Sequence, residues 1–293
     1  MMPLPAAEIR RAVRIGLHED LGDGDVTTSA LFSKRVPAHA SIVAQHSLIV
    51  AGLSAAVQTF LAVDPALTLT VLRHDGEPAE EGEVILTIEG DGRSILQAER
   101  VALNFLQHLS GIATLTHRFC QAVKDYPVII LDTRKTLPGW RSLQKWAVAL
   151  GGGTNHRYSL GDGVLIKDNH LALLQGGKTS VRRACQLAHR KAPQAMSLIV
   201  EVETLAEVRH ALAGNADVIL LDNMTPAMVR QAVKLIGHRA LVEVSGGITL
   251  QNIRAMAAAG PDRISIGALT HSAPAADLSL VLTPLPSARR RRA

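Results

Sequence analysis

The chain has 293 residues, 47% of them hydrophobic but only 3% aromatic, and a formal net charge of +5. That length and apolar content suffice for one large domain plus a smaller one and exclude disorder for most of the chain. Scarce aromatics leave Ala, Val, Leu and Ile to build the core, which favours an α/β fold with parallel strands covered on both faces over an all-β sandwich. The two cysteines, Cys120 and Cys185, fall in helix-like segments without metal-ligand spacing and read as reduced packing residues. No basic start leads into an apolar run and a small-residue cleavage site, so the expected location is the cytoplasm. Four of the positive charges belong to Arg289–Arg292 in a tail with no apolar pattern, and no nucleic-acid motif accompanies them. That tail reads as a solvated end.

In chain order, Ala6–Glu19 has the pattern of a helix and is followed by the turn-rich LGDGDVTT. Ile42–Gly52 and Val84–Glu89 read as strands of a smaller mixed domain, and Ser47–Val63 as a strand running into a helix. Val101, Leu103, Leu106 and Leu109 recur near helical spacing in Glu99–Ala113, a long helix that bridges the two parts. The division is placed near Gly111, giving residues 1–111 and 112–272.

From Val128 the rhythm changes. VIILDT (Val128–Thr133), GVLIKD (Gly163–Asp168), LIVEVE (Leu198–Glu203), VILLDN (Val218–Asn223), LVEVSGG (Leu241–Gly247) and RISIGA (Arg263–Ala268) alternate with helical patterns at Ser180–His189, Leu205–Ala213, Pro226–Leu235 and Leu250–Ala259. This is the order of parallel βα units. Pro138–Leu150 is a further helix, and Gly151–Gly153 terminates it; following a helix, these glycines are no dinucleotide fingerprint.

Polar residues collect where the apolar strands end. Arg134 and Lys135 follow the first, Lys167 closes the second, Glu201 and Glu203 the third, Asp222 the fourth, Ser245, Gly246 and Gly247 the fifth, and Gly267 the sixth. In a barrel these ends share one face, where an active site is built. With His156, Arg157 and His170 the cations describe a pocket for carboxylates and phosphates, in which Arg offers a fork and Lys a mobile point charge. The small-residue turns SGGI (Ser245–Ile248) and SIGA (Ser265–Ala268) suit a phosphate. Glu201 and Asp222 end nearly unbroken apolar runs and suit a divalent cation or ribose hydroxyls, with helix capping as their alternative reading. For Glu203 the two readings stay open.

At these residues the resemblance becomes specific. DTRKTLPGWRSLQKWAVALGGGTNHRYSLGDGVLIKDNH, with HEDLGDGDVTT, ERVALNFLQHLSGIAT, VEVE, LLDN, EVSGGI and ISIGALTHS, resembles the quinolinate phosphoribosyltransferase family from about Leu17 to Ser272. The resemblance implies an N-terminal α/β sandwich domain, rejoined by residues 273–293, and an incomplete seven-stranded α/β barrel. It implies phosphoribosyl transfer from phosphoribosyl pyrophosphate to quinolinate with decarboxylation, in NAD biosynthesis, with Mg²⁺ as cofactor and Mn²⁺ as a substitute. By motif position, Arg134, His156, Arg157 and Lys167 would hold the quinolinate carboxylates, and Lys135 and Lys167 would face the phosphates. Glu201 and Asp222 would meet the ribose hydroxyls and the metal, through water or the substrate complex. Ser245, Gly246, Gly247, Gly267 and Ala268, helped by His271, would bind the 5′-phosphate. Lys135, Lys167, Glu201 and Asp222 would be catalytic. Arg100 would reach the neighbouring subunit's site in a homodimer, with a hexamer as the alternative assembly. Trp140 and Trp146 stand where the family more often has other residues. A phosphoribosyltransferase for another pyridine carboxylate and a binding protein without catalysis are the competing readings.

Overall fold

The computed structural model describes residues 6–174, 180–193 and 195–286. The Arg289–Arg292 tail lies outside them. Two compact units emerge. The first comprises the residues up to Thr116, Leu137–Gly152 and those from Ala273 onward; the second comprises His117–Thr136 and Gly153–Ser272.

The first unit begins with helices α1 (Ala6–Leu21) and α2 (Val26–Leu31), the latter capped by the Asp25 carboxylate on the Thr28 N–H. Strands β1 (Pro37–Ala44) and β2 (Leu48–Ile49) lead into α3 (Leu53–Val63). The strand expected at Ile42–Gly52 is therefore displaced and divided. In β1 the alternating residues Ala38, Ala40, Ile42 and Ala44 face the core, and three of these four are alanine, which carries little strand signal. Strands β3 (Thr68–Val71), β4 (Pro78–Ala79) and β5 (Val84–Asp91) precede the long helix α4 (Gly92–Ala122). The Asp91 carboxylate binds the Arg93 side chain and backbone where α4 begins. α4 runs unbroken through Gly111, and its last residues belong to the second unit.

The main sheet of this unit has the order β12-β1-β5-β3, where β12 (Leu278–Pro284) lies antiparallel to β1 with Ala38 opposite Pro284 and Ala44 opposite Leu278. β2 and β4 form a separate pair. Phe60 of α3 and Ile95, Ala98, Ala102 and Leu106 of α4 pack with Ile42, Leu86 and Ile88 of the sheet, giving helices on strands. The helix expected after Pro138, α5 (Arg141–Leu150), packs in this unit too. Trp140 stacks on Phe105 with centroids 5.0 Å apart, and Gln144 meets the His108 Nε2 at 2.8 Å. A Cβ on Gly151 would come 2.3 Å from the Ala113 carbonyl oxygen, so this glycine permits close helix approach as well as termination.

The second unit is a parallel sheet. Its strands are β6 (Ile129–Leu131), β7 (Val164–Ile166), β8 (Leu198–Val202), β9 (Val218–Asp222), β10 (Leu241–Ser245) and β11 (Arg263–Ser265), in the order β6-β11-β10-β9-β8-β7. Helices α6 (Asp168–Leu173), α7 (Ser180–Lys191), α8 (Leu205–Ala213), α9 (Pro226–Ile236), α10 (Ile253–Ala257) and α11 (Ala268–His271) intervene. Caps explain sharp boundaries: Thr204 and Glu207 form a capping box on α8, while Thr225, Pro226 and a left-handed Gly237 bracket α9. Six strands stand where the resemblance implies seven. A lone parallel bridge from Leu131 to Thr154 extends the β6 edge, and among the described residues no ladder closes the sheet onto β7. Leu165, Ile199, Val218 and Leu220 form a small apolar cluster within it.

Candidate active site

The carboxyl ends of the six parallel strands and the loops after them line one cavity of about 350 Å³. Arg134 and Lys135 arrive from the loop after β6, His156 and Arg157 from the loop before β7, Lys167 from the end of β7, Glu201 from β8, Asp222 from β9, Glu243 and Ser245 from β10 and Ser265 from β11. Residues more than a hundred positions apart thus share a wall. The parallel register makes this possible, since Ser245 lies opposite Asp222 and Glu201 opposite Leu220.

The cations are held at close quarters. Arg157 donates from its guanidinium to the Gly163 carbonyl at 3.2 Å. Burial, and after it the charge of Arg134, holds the Arg157 guanidinium below the usual arginine range. Lys167 pairs with the Glu201 carboxylate, and its three donors allow it to serve that acid and an incoming anion together. The Thr270 hydroxyl donates to the Lys135 carbonyl at 2.7 Å, anchoring the β6 loop beside β11.

The turns after β10 and β11 are built around glycine for steric reasons. Gly246 has φ +89°, and a Cβ there would lie 2.2 Å from the Asn223 Oδ1. A Cβ on Gly267 would press on Lys135 and His271 at 3.0–3.1 Å. Asn252 closes the first turn by donating to the Gly247 carbonyl at 2.8 Å.

The deciding comparison is with family models. Residues 25–110 match the N-terminal domain and residues 112–281 the C-terminal domain of quinolinate phosphoribosyl transferase. The chain belongs to the quinolinate phosphoribosyl transferase family. A chloroplastic nicotinate-nucleotide pyrophosphorylase (carboxylating) of Oryza sativa subsp. japonica is 39% identical over 94% of this chain and 78% of its own length. The structure of NadC from Streptococcus pyogenes superposes with a TM-score of 0.91 at 38% identity, covering 98% of this chain and all of that one. The nicotinate-nucleotide pyrophosphorylase from Francisella tularensis gives 0.90 at 36% identity over 96% and 98%.

Of the residues expected at the site, Arg134, Lys135, His156, Arg157, Lys167, Glu201, Asp222 and Ser245 line the cavity. Gly246 and Gly247 belong to the turn after β10, Gly267 caps α11, and Ala268 and His271 are the ends of that helix; none of the five reaches the lining. Arg100 is an exposed residue of α4 in the first unit. His170 is exposed and turns back to accept the Lys167 N–H at 3.0 Å. Glu203 is exposed as well; the cap of α8 comes from Thr204 and Glu207.

Three residues were missed. Asp132, fully buried, accepts the His156 N–H at 2.7 Å and the Asn155 amide at 2.8 Å, and so shapes the loop that carries the cations. Asn223, at positive φ, donates to Asp222 at 2.7 Å and fixes its carboxylate. Glu243 is a fully buried acid between the apolar residues Val242 and Val244 of β10. The argument applied to Glu201, that a charge in an apolar run must be paired, would have found it.

Proposed function

We infer that this cavity joins quinolinate to phosphoribosyl pyrophosphate, releasing pyrophosphate and CO₂ and giving nicotinate mononucleotide. The observation that carries the reading is the convergence of Arg134, Lys135, Arg157 and Lys167 on one partly buried cavity. Burial and, after it, the charge of Arg134 lower the Arg157 pKa there although Asp162 and Glu201 oppose them, so that a bound anion is favoured. A dicarboxylate accounts for more of these cations than nicotinate, which brings one carboxylate.

In this reading Arg134, Arg157 and Lys167 hold the quinolinate carboxylates, His156 lines the cavity beside them, and Lys135 with Lys167 faces the diphosphate. The quinolinate nitrogen forms a bond to the ribose C1 while the C1–pyrophosphate bond breaks. Positive charge builds on the ribose as the polyanion departs, so the lysines stabilise the leaving group and Glu201 and Asp222 stabilise the sugar side. Once alkylated, the positively charged ring nitrogen stabilises the electron pair left on the adjacent ring carbon when its carboxylate departs as CO₂, and that carbon then takes up a proton. Ser245, Gly246, Gly247, Gly267, Ala268 and His271 hold the 5′-phosphate.

The acids also suit Mg²⁺. Glu201 and Asp222 line the same cavity and offer hard oxygen donors, while among the described residues no group of three potential ligands exists. Two carboxylates with the remaining positions filled by substrate oxygens and water is the usual mode for this ion. Glu201 and Asp222 would hold Mg²⁺ presented with phosphoribosyl pyrophosphate, and the ion would supply charge neutralisation for the departing diphosphate. The exposed Arg100 of α4 suits a dimer in which each subunit completes its partner's site. Among the described residues no helix is long and apolar enough to cross a membrane.

The test is an assay of the purified protein for nicotinate mononucleotide from quinolinate and phosphoribosyl pyrophosphate, with nicotinate as the alternative acceptor. Turnover with nicotinate and none with quinolinate would reject this reading.

A further inference from the structure

Glu243 lies in the middle of β10 with no exposed surface, yet it is among the residues that shape the cavity. Neither of its carboxylate oxygens accepts a hydrogen bond among the described residues. An acid so placed is costly unless something nearby answers its charge. Its neighbour is His156, whose Nε2 stands 3.3 Å from Oε1, though not aligned as a hydrogen bond, so that a proton on that nitrogen is what faces the carboxylate.

The His156 ring is defined from its other side. The Arg157 backbone N–H donates to Nδ1 at 2.7 Å, so Nδ1 carries no proton and the ring hydrogen resides on Nε2, facing Glu243. The backbone of His156 is tied to Asp132 at 2.7 Å. The residue is thus gripped at its backbone, at Nδ1 and at Nε2. Because the Nδ1 contact is to the Arg157 backbone, orienting the ring also orients the arginine that follows.

We propose that Glu243 is a positioning residue for this reaction: through the His156 imidazole it fixes the backbone of Arg157 and aims the guanidinium at a substrate carboxylate. The charge of Glu243 holds Nε2–H inward, which leaves Nδ1 as the acceptor for the Arg157 N–H. Without that charge the ring is released to rotate or change tautomer, and the Arg157 backbone loses its anchor. This rests on the reading above that Arg157 meets a carboxylate of quinolinate.

The experiment has two arms. In the kinetic arm, Glu243→Gln keeps the shape and removes the charge. The KM for quinolinate is expected to rise about tenfold, with the KM for phosphoribosyl pyrophosphate and the melting temperature close to those of the parent. The same substitution on an Arg157→Ala background should add nothing to the quinolinate KM. An unchanged quinolinate KM, an equal rise for both substrates, or the same rise on both backgrounds would overturn the proposal. In the spectroscopic arm, the unsubstituted protein is labelled with ¹⁵N-histidine, and the His156 signals are identified by their loss in His156→Asn. A neutral ring protonated on Nε2 supports the proposal, and a ring protonated on Nδ1 overturns it, whether or not Glu243→Gln folds. Failure of the pocket reading is separable, since Arg157→Ala alone would then leave the quinolinate KM unchanged while the tautomer still reports on Glu243.

Discussion

The carboxylate of Asp132 accepts the backbone N–H of His156 at 2.7 Å across a separation of 24 residues. This bond joins the end of β6 to the loop that carries His156 and Arg157, and Asn155 reinforces it at 2.8 Å. Asp132→Ala leaves donors without their acceptor in a buried setting, at a cost of roughly 1–3 kcal/mol. Chemical denaturation should show that loss, and the quinolinate KM should rise with it. A variant as stable as the parent, with unchanged KM, would refute the role given to Asp132.

Removing either guanidinium should weaken quinolinate specifically. Arg157→Ala and Arg134→Ala each delete a charge-assisted contact worth about 1.5–3 kcal/mol, so the quinolinate KM should rise by tenfold or more. Steady-state kinetics with each substrate varied in turn would show whether the loss is confined to quinolinate.

Turnover should require a divalent cation. In excess chelator the activity is expected to disappear and to return with Mg²⁺ or Mn²⁺, and Glu201→Gln and Asp222→Asn should each raise the concentration needed. Full activity in chelator would remove the ion from the reaction.

The shared-site proposal predicts complementation. Arg100→Ala and Lys135→Ala should each be inactive alone, whereas a mixed dimer concentrates both defects in one site and leaves the other intact. Activity should therefore return once the two variants exchange subunits. Demonstrated exchange without recovery would place the action of Arg100 within its own chain.

Asp75 gives a pH prediction. Its carboxylate accepts the Leu53 N–H at 2.9 Å at the start of α3. Burial raises this carboxyl above its ordinary value of 3.8, and hydrogen bonds from Leu53, Ser54 and Gly52 only partly oppose the rise. The folded chain thus keeps the proton to higher pH than the unfolded chain, and the resulting stabilisation is present in full below the unfolded value. It is lost as pH rises through the folded value. Relative to Asp75→Asn, the parent should lose stability as pH rises from 3.8 through that raised value, read by denaturation at successive pH. A constant difference between the two proteins would contradict this.

The barrel strands were legible because β8 and β9 are buried on nearly every residue, so unbroken apolar runs ending at Glu201 and Asp222 announce themselves. The edge strands were not. β3 and β12 are half exposed, and their mixed sequences resemble loops until a partner is known. Local periodicity likewise gives no reason to group α5 with the first unit; that follows from contacts such as Trp140 on Phe105. At the site the exposed-end cations were visible as a set, while Asp132 was hidden because its partners lie on a loop 23 and 24 residues away, and Asn223 because its donation to the adjacent Asp222 depends on a positive φ that the sequence does not announce. Glu243 was readable in principle, as one acid between Val242 and Val244, both buried.

The pairing of β1 with β12 sets the order in which the chain can be finished. Ala38 waits for Pro284, and every strand of the parallel sheet is synthesised between them. During translation the second unit can collapse around its own βα units while one edge of β1 offers free N–H and C=O groups to any strand that passes. Closing so long a loop adds little to the thermodynamic cost, which grows only with the logarithm of its length. The burden is kinetic, because a pairing so distant in sequence forms late. The nascent protein is thus most exposed to intermolecular strand exchange just before its final strand leaves the ribosome.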